Sequence, residues 1–258
     1  MQRVTLLEKV YGPISSKTLE PTLLSLCKGL KVGLKVVGET SRGWVQIEVS
    51  GEDETVALRY LDQRVGLAPA SLDELKRFST VRGKVVSSGK SRNELYVDIG
   101  VSSPRICDAA IPLQSLQAQL ADGKKLPLQR IIELFCLYDH LPLEVKIVGH
   151  VDAQNERVVA VLSEAQLSQI TRWIRSNLDR LIVLGALTSH VERAIKASKH
   201  GRDIIKIERL GLLEHAIVCK LGTQAIGLIP KLGLRVPTAT LAPFCPRKIQ
   251  QLTNRSFL

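Results

Sequence analysis

The chain has 258 residues, 45% of them hydrophobic and only 4% aromatic, so two or three folded modules with cores of Leu, Ile and Val are expected. A formal charge of +11 favours a polyanionic partner, and no apolar run approaches the length of a membrane span. The start, Met1-Gln2-Arg3-Val4-Thr5, lacks a signal-peptide core, and Cys27, Cys107, Cys136, Cys219 and Cys245 are odd in number with no Cys-x-x-Cys pair. This reading excludes a membrane protein and a disulfide-stapled secreted one. It expects a soluble cytoplasmic protein with reduced thiols.

Val4 to Val10 reads as a strand, and Ser16 or Thr18 can cap a helix that Gly29 stops after about Lys28. Strands over Lys31–Val37 and Gly43–Val49 follow. Glu52-Asp53-Glu54 then puts negative charge on the first turn of a helix running to about Arg64, where the helix dipole favours it. The β-α-β-β-α order over residues 1–70 predicts an α/β sandwich-like domain resembling part of a split βαβ unit. Residues 1–75 carry nine basic and ten acidic side chains, which suits a structural or protein-contact role rather than a phosphate-binding one.

Residues 66–70 read as a linker and Ser71 to Phe78 as one short helix. Val81–Val86 then alternates apolar and basic residues, with a turn over Ser87–Asn93. Leu95–Gly100, Ala109–Pro112, Leu143–Val151 and Arg157–Leu162 complete five short strands, the last two joined by Asp152 to Glu156. Period-two alternation with turn residues between strands predicts a small antiparallel barrel over residues 76–163. An insertion over residues 115–138 holds two apolar helical stretches separated by Asp122-Gly123-Lys124-Lys125.

Alternation points Leu95, Val97 and Ile99 inward and leaves Glu94, Tyr96 and Asp98 outside. Arg82 and Lys84 share the outer face of the first strand, and Glu144, Lys146 and His150 that of the fourth. An aromatic at Tyr96 among Arg82, Lys84, Lys90, Arg92, Lys146 and His150 suits single-stranded RNA, with a ring for a base and cations for phosphates. The competing arrangement packs Tyr96 beneath the inserted helices. Gly83-Lys84-Val85, Tyr96-Val97-Asp98-Ile99-Gly100 and Ala109-Ala110-Ile111-Pro112, in this order, resemble the landmarks of the S-one-type RNA-binding domain. That resemblance implies an oligonucleotide-binding-type barrel, with Tyr96 where the family carries its second-strand stacking aromatic.

Glu164–Asn177 continues as an amphipathic helix and Arg180–Ala186 as a strand. Ser189-His190-Val191-Glu192 matches a capping box opening a helix to His200, stopped by Gly201. Strands over Ile204–Leu210, Glu214–Leu221 and Ala225–Ile229 complete a β-rich module over residues 164–233. Between Arg172 and Arg202 seven cations face two carboxylates, and Arg193, Lys196 and His200 fall on one helical face.

Residues 215–258 contain six Lys and Arg and no Asp or Glu. With three prolines and no clear periodicity, residues 234–258 read as a basic surface tail offering Arg235, Arg247 and Lys248 to phosphates. The structural alternative puts Leu241, Phe244 and Leu252 in the core. The succession Arg209-Leu210-Gly211-Leu212-Leu213-Glu214-His215-Ala216 into Cys219-Lys220-Leu221-Gly222-Thr223 resembles an archaeal family labelled only as a domain of unknown function. It implies an archaeal source and no assigned activity.

His215, Cys219 and Cys245 match no zinc spacing, and Cys136, Asp139 and His140 read as core packing rather than a thiol nucleophile. No catalytic motif, metal site or cofactor is expected. The whole predicts a multidomain α+β protein that binds RNA or a ribonucleoprotein without chemistry of its own. Two alternatives stay open: a factor of the transcription apparatus contacting protein, and an RNA-modifying enzyme without a recognisable motif.

Overall fold

A computed structural model of the chain describes residues 1–69, 71–103, 105–149 and 158–253. The chain divides into two compact units, Met1–Ala70 and Ser71–Leu258. In the first, β1 (Gln2–Lys9), α1 (Glu20–Leu26), β2 (Val32–Glu39), β3 (Trp44–Gly51) and α2 (Glu54–Arg64) follow the expected order. The sheet runs β1-β3-β2 with antiparallel neighbours, so β1 and β2 are parallel and split by β3. Leu6, Leu23, Val36, Ile47 and Leu61 are buried in its core. A 3-10 turn over Ser16–Leu19 precedes α1, and no side chain caps either of them.

The second unit opens with a single 3-10 turn over Leu72–Glu74, which leaves Phe78 outside any helix. β4 (Thr80–Val86), β5 (Glu94–Val101), β6 (Cys107–Pro112), β7 (Pro142–Ile147) and β8 (Val158–Leu162) close a barrel in the order β4-β5-β6-β8-β7. Its neighbours are antiparallel except β6 and β8, which corrects the wholly antiparallel barrel expected. The inserted helices α3 (Leu113–Leu120) and α4 (Leu128–Phe135) carry the chain from β6 to β7, which pairs with β4, and β8 then pairs back antiparallel to β7 and so lies parallel to β6.

Leu95, Val97, Ile99, Val145 and Ile147 fill the barrel, as their alternation requires, and α4 adds Leu128, Ile131, Ile132 and Phe135 to the same core. Each such side chain contributes roughly 1.5–3 kcal/mol on burial. Gly83 is obligatory, because a Cβ there would stand 2.4 Å from the Asp98 carbonyl oxygen.

α5 (Glu164–Arg175) starts at Ser163, whose hydroxyl accepts from the Gln166 amide at 3.1 Å. Then come β9 (Arg180–Leu184), α6 (Thr188–Ser198), β10 (Ile204–Arg209), β11 (Glu214–Cys219), α7 (Ala225–Gly233), β12 (Thr240–Phe244) and α8 (Pro246–Thr253). Strands β10-β11-β9-β12 form an antiparallel sheet. One of its faces, with Ile182, Leu184, Ala216, Ala242 and Phe244, joins the barrel's core. The opposite face, with Leu181, Val183, Ile217 and Cys219, packs on α6 and α7.

Several expectations for this half are corrected. Residues 225–229 are helical, because Ala225, Leu228 and Leu232 recur at helical spacing and are the positions that find a core. α6 begins at Thr188 with Leu187 at its N-cap and no side-chain cap, so the Ser189–Glu192 box is not used, and Lys199 in a left-handed conformation ends it before Gly201. Residues 240–253 are no surface tail. β12 pairs with β9, and Phe244 and Ile249 are almost fully buried. Among the described residues no helix is long and apolar enough to cross a membrane.

Candidate nucleic-acid interface

The cations expected on the outer barrel separate into different environments. Lys84 points outward from β4, but there the C-terminal sheet covers the barrel. Its Nζ lies 2.8 Å from Glu214 Oε1 on β11, with the two side chains 2% and 0% exposed. Asp98 stands opposite Lys84 in the β4–β5 register and is also fully buried, not outside. Lys84 is therefore no phosphate ligand. Two charges removed from water persist only when closely paired, since desolvation costs several kcal/mol per ion.

Tyr96 is half-buried. It stands between Val86 and Ala110 in the sheet register, and its hydroxyl donates to Glu94 Oε2 at 3.0 Å.

An exposed aromatic does stand among cations, at a position the sequence reading missed. Phe78 lies just before β4, is 58% exposed and has φ +68°, a left-handed conformation that bulky residues rarely adopt. Its amide donates to the Ile147 carbonyl at 2.7 Å, and the Ile147 amide donates to Ser79 at 3.0 Å. This short extension of the β4–β7 pairing fixes the ring at the barrel's rim. The Arg77 guanidinium lies 4.8 Å from the ring centroid and Lys146 Nζ 5.9 Å from it.

Arg77 is held by a 3.3 Å bond from Nε to the Val148 carbonyl, and Lys146 by its register opposite Thr80. Arg82, half-exposed, is the next outward residue along β4 and pairs with Glu144 at 3.7 Å. A ring with open area, three nearby cations and a rigid backbone can stack on a base while neutralising phosphates. The signal available in sequence was the triplet Lys76-Arg77-Phe78, one of only four phenylalanines, in a segment read as helix.

Of the expected residues, Arg82 and Lys146 therefore come together. Lys90 and Arg92 are exposed on the β4–β5 turn, at the far end of β4 and about 20 Å away along the strand. Arg193 and Lys196 are exposed on α6, Arg235 follows α7, and Arg247 and Lys248 occupy the first turn of α8. His150 lies outside the described residues. His200 lies beyond the end of α6 and pairs through Nδ1 with Asp203 at 2.6 Å.

Four groups, His215, Cys219, Cys245 and Cys136, have pKa values shifted by their surroundings. His215 is fully buried, its Nε2 donates to the Ala186 carbonyl at 2.9 Å, and Nδ1 has no hydrogen-bond partner among the described residues. Burial first, with the Arg209 charge adding, pushes its pKa down to about 4 against the Ala186 bond, so the ring is neutral. Burial beside the Asp179 carboxylate pushes the Cys219 and Cys245 thiols up to about 11. Cys136 is raised further still by burial, so none of the three is a thiolate at neutral pH. Among the described residues no group of three or more His, Cys, Asp or Glu could hold a metal ion.

These parts define a class: an α+β protein with, in chain order, a small split α/β unit, a closed five-stranded barrel and a helix-backed antiparallel sheet. The DUF2110 N-terminal domain matches residues 3–70, the DUF2110 central domain residues 75–174, and the DUF2110 C-terminal domain residues 178–242. The chain belongs to the DUF2110 family, a domain of unknown function, and no catalytic family is indicated. No curated protein matches it. Among solved structures, a crystal structure from Thermus thermophilus is similar at 14% identity, with 98% of this chain and 43% of that chain covered. The chain thus spans less than half the length of that protein, and the TM-score of 0.18 leaves no basis for an argument from it.

Proposed function

We propose that this protein binds single-stranded RNA without catalysing a reaction, and that the rim of its barrel is the contact. The observation carrying this reading is Phe78, exposed and conformationally strained between the Arg77 and Lys146 cations. A left-handed phenylalanine costs roughly 1–2 kcal/mol, and 58% exposure recovers little of it through burial. A ring held that way at the surface suits a stacking platform. The order β4-β5-β6-β8-β7, with β6 and β8 parallel, supports the finer reading of an oligonucleotide-binding-type barrel, as does the resemblance to S-one-type domains. The formal charge of +11 supports a polyanionic partner.

The test is anisotropy with a labelled single-stranded RNA across a salt series. Phe78→Asn keeps a residue that tolerates the left-handed backbone and removes the ring. It is expected to weaken binding by about 1–3 kcal/mol with little change in salt slope. Lys146→Gln is expected to lower the slope of log affinity against log salt by about 0.7. Parent-like binding by both variants would remove the rim from consideration.

A further inference from the structure

Helix α7 has an outward face that, among the described residues, packs on nothing. Ala225, Leu228 and Leu232 are buried against the sheet, while Ile226 is 52% and Leu234 84% exposed. Ile226, Pro230 and Leu234 recur at four-residue intervals and form one ridge along the helix. Beside that ridge Gly227 is open, since a Cβ there would meet nothing within 4 Å. Pro230 removes an amide from the helix and with it the bond to the Ile226 carbonyl. Two glycines and a proline in a nine-residue helix with three buried side chains are poor local choices for a helix that faces only its own core.

The surrounding charge says what chemistry covers the ridge. Lys231 and Arg235 are exposed along it, and residues 215–258 contain no Asp or Glu. Asp179, the acidic side chain bonded to this helix, accepts from the Ala225 amide at 3.1 Å and from the Cys245 thiol at 3.5 Å, at the N-terminal end. A second copy of the chain docked symmetrically on this ridge would set Lys231 and Arg235 against themselves. RNA would match the cations but offers no aliphatic surface for Ile226 and Leu234.

We infer that α7 is a docking ridge for an acidic amphipathic helix of a protein partner. Its Leu or Ile side chains would seat along Ile226, Pro230 and Leu234, and its Asp or Glu would reach Lys231 and Arg235. This contact is independent of the RNA reading.

The test selects peptides from a random displayed library on the full chain and measures the recovered peptides by anisotropy. Enriched sequences are expected to pair Leu or Ile with Asp or Glu at helical spacing. Their affinity should fall about tenfold or more on Ile226→Ser/Leu234→Ser and on Lys231→Glu/Arg235→Glu, with melting temperature unchanged. Failure to enrich acidic apolar peptides, or parent-like binding by either variant, overturns the proposal. A single-stranded RNA that loses affinity on Ile226→Ser/Leu234→Ser would also overturn it, by assigning the ridge to nucleic acid.

Discussion

Lys84 and Lys146 stand on the outer face of neighbouring strands of one barrel, yet their surroundings have nothing in common. Lys84 is sealed beneath the C-terminal sheet at 2.8 Å from Glu214, with 2% of its side chain exposed. Lys146 sits at the open rim, 5.9 Å from the ring of an exposed phenylalanine. One cation ties two layers of a core together, and the other is available to a ligand. The difference lies in what packs against each strand, because both residues obey the same in–out alternation. A basic residue on a barrel exterior is thus a binding candidate only where no second layer covers it.

The largest test of this contrast removes the cover. Ending the chain at Ala239 deletes β12 and α8, and with them Ala242, Phe244 and Ile249 from the shared core. Since truncating one buried phenylalanine costs about 3–5 kcal/mol, this deletion is expected to unfold the second unit, read as loss of a cooperative melting transition. A shortened chain that melts like the parent would restore the surface-tail reading.

Lys84→Met comes next and leaves Glu214 buried without that partner. The loss should be about 3–5 kcal/mol by urea unfolding, and adding Glu214→Leu should recover most of it. RNA affinity of the folded fraction should stay at the parent value, which no rim cation would allow.

His215 supplies a third, pH-dependent test within the same sheet. Its folded pKa of about 4 lies below its unfolded value near 6.5, so the unfolded chain binds the proton more tightly. The stability it contributes is complete above about pH 6.5 and is lost as pH falls toward 4, a change of about 3 kcal/mol. Unfolding free energies between pH 7 and 4 should fall less steeply for His215→Gln than for the parent. The smallest expected stability effect belongs to Phe78→Asn, within about 1 kcal/mol of the parent, because the ring is exposed and its backbone strain is relieved. A large loss there would make Phe78 structural rather than a platform.

The barrel strands were legible because their side chains alternate with period two, and the first unit because charge and glycine mark its helix ends. Alternation could not say which outward faces are covered, so Lys84 and Asp98 were misplaced while Arg82 and Lys146 were not. Residues 225–229 read as a strand because two β-branched isoleucines, a glycine and the following Pro230 all disfavour a helix; only the core against which Ala225, Leu228 and Leu232 pack makes them helical. Residues 240–244 carry too few positions to show a period, and their partner is far upstream in β9. Phe78 belongs to no repeat at all. Its role as a candidate comes from Ile147, Arg77 and Lys146 meeting around it.

The position of β9 has a consequence for the timing of folding. Its five residues, Arg-Leu-Ile-Val-Leu, are buried on both faces and paired on both edges, but β12 is synthesised roughly 60 residues after it. At about 5–20 residues per second, the nascent chain carries this apolar segment for several seconds before its second edge can be closed. During that interval the strand is a natural binding stretch for a chaperone and a site for mispairing between neighbouring nascent chains. Slowing translation between residues 184 and 244 should therefore lower the soluble yield more than an equal delay within residues 1–70, whose three strands pair within their own unit.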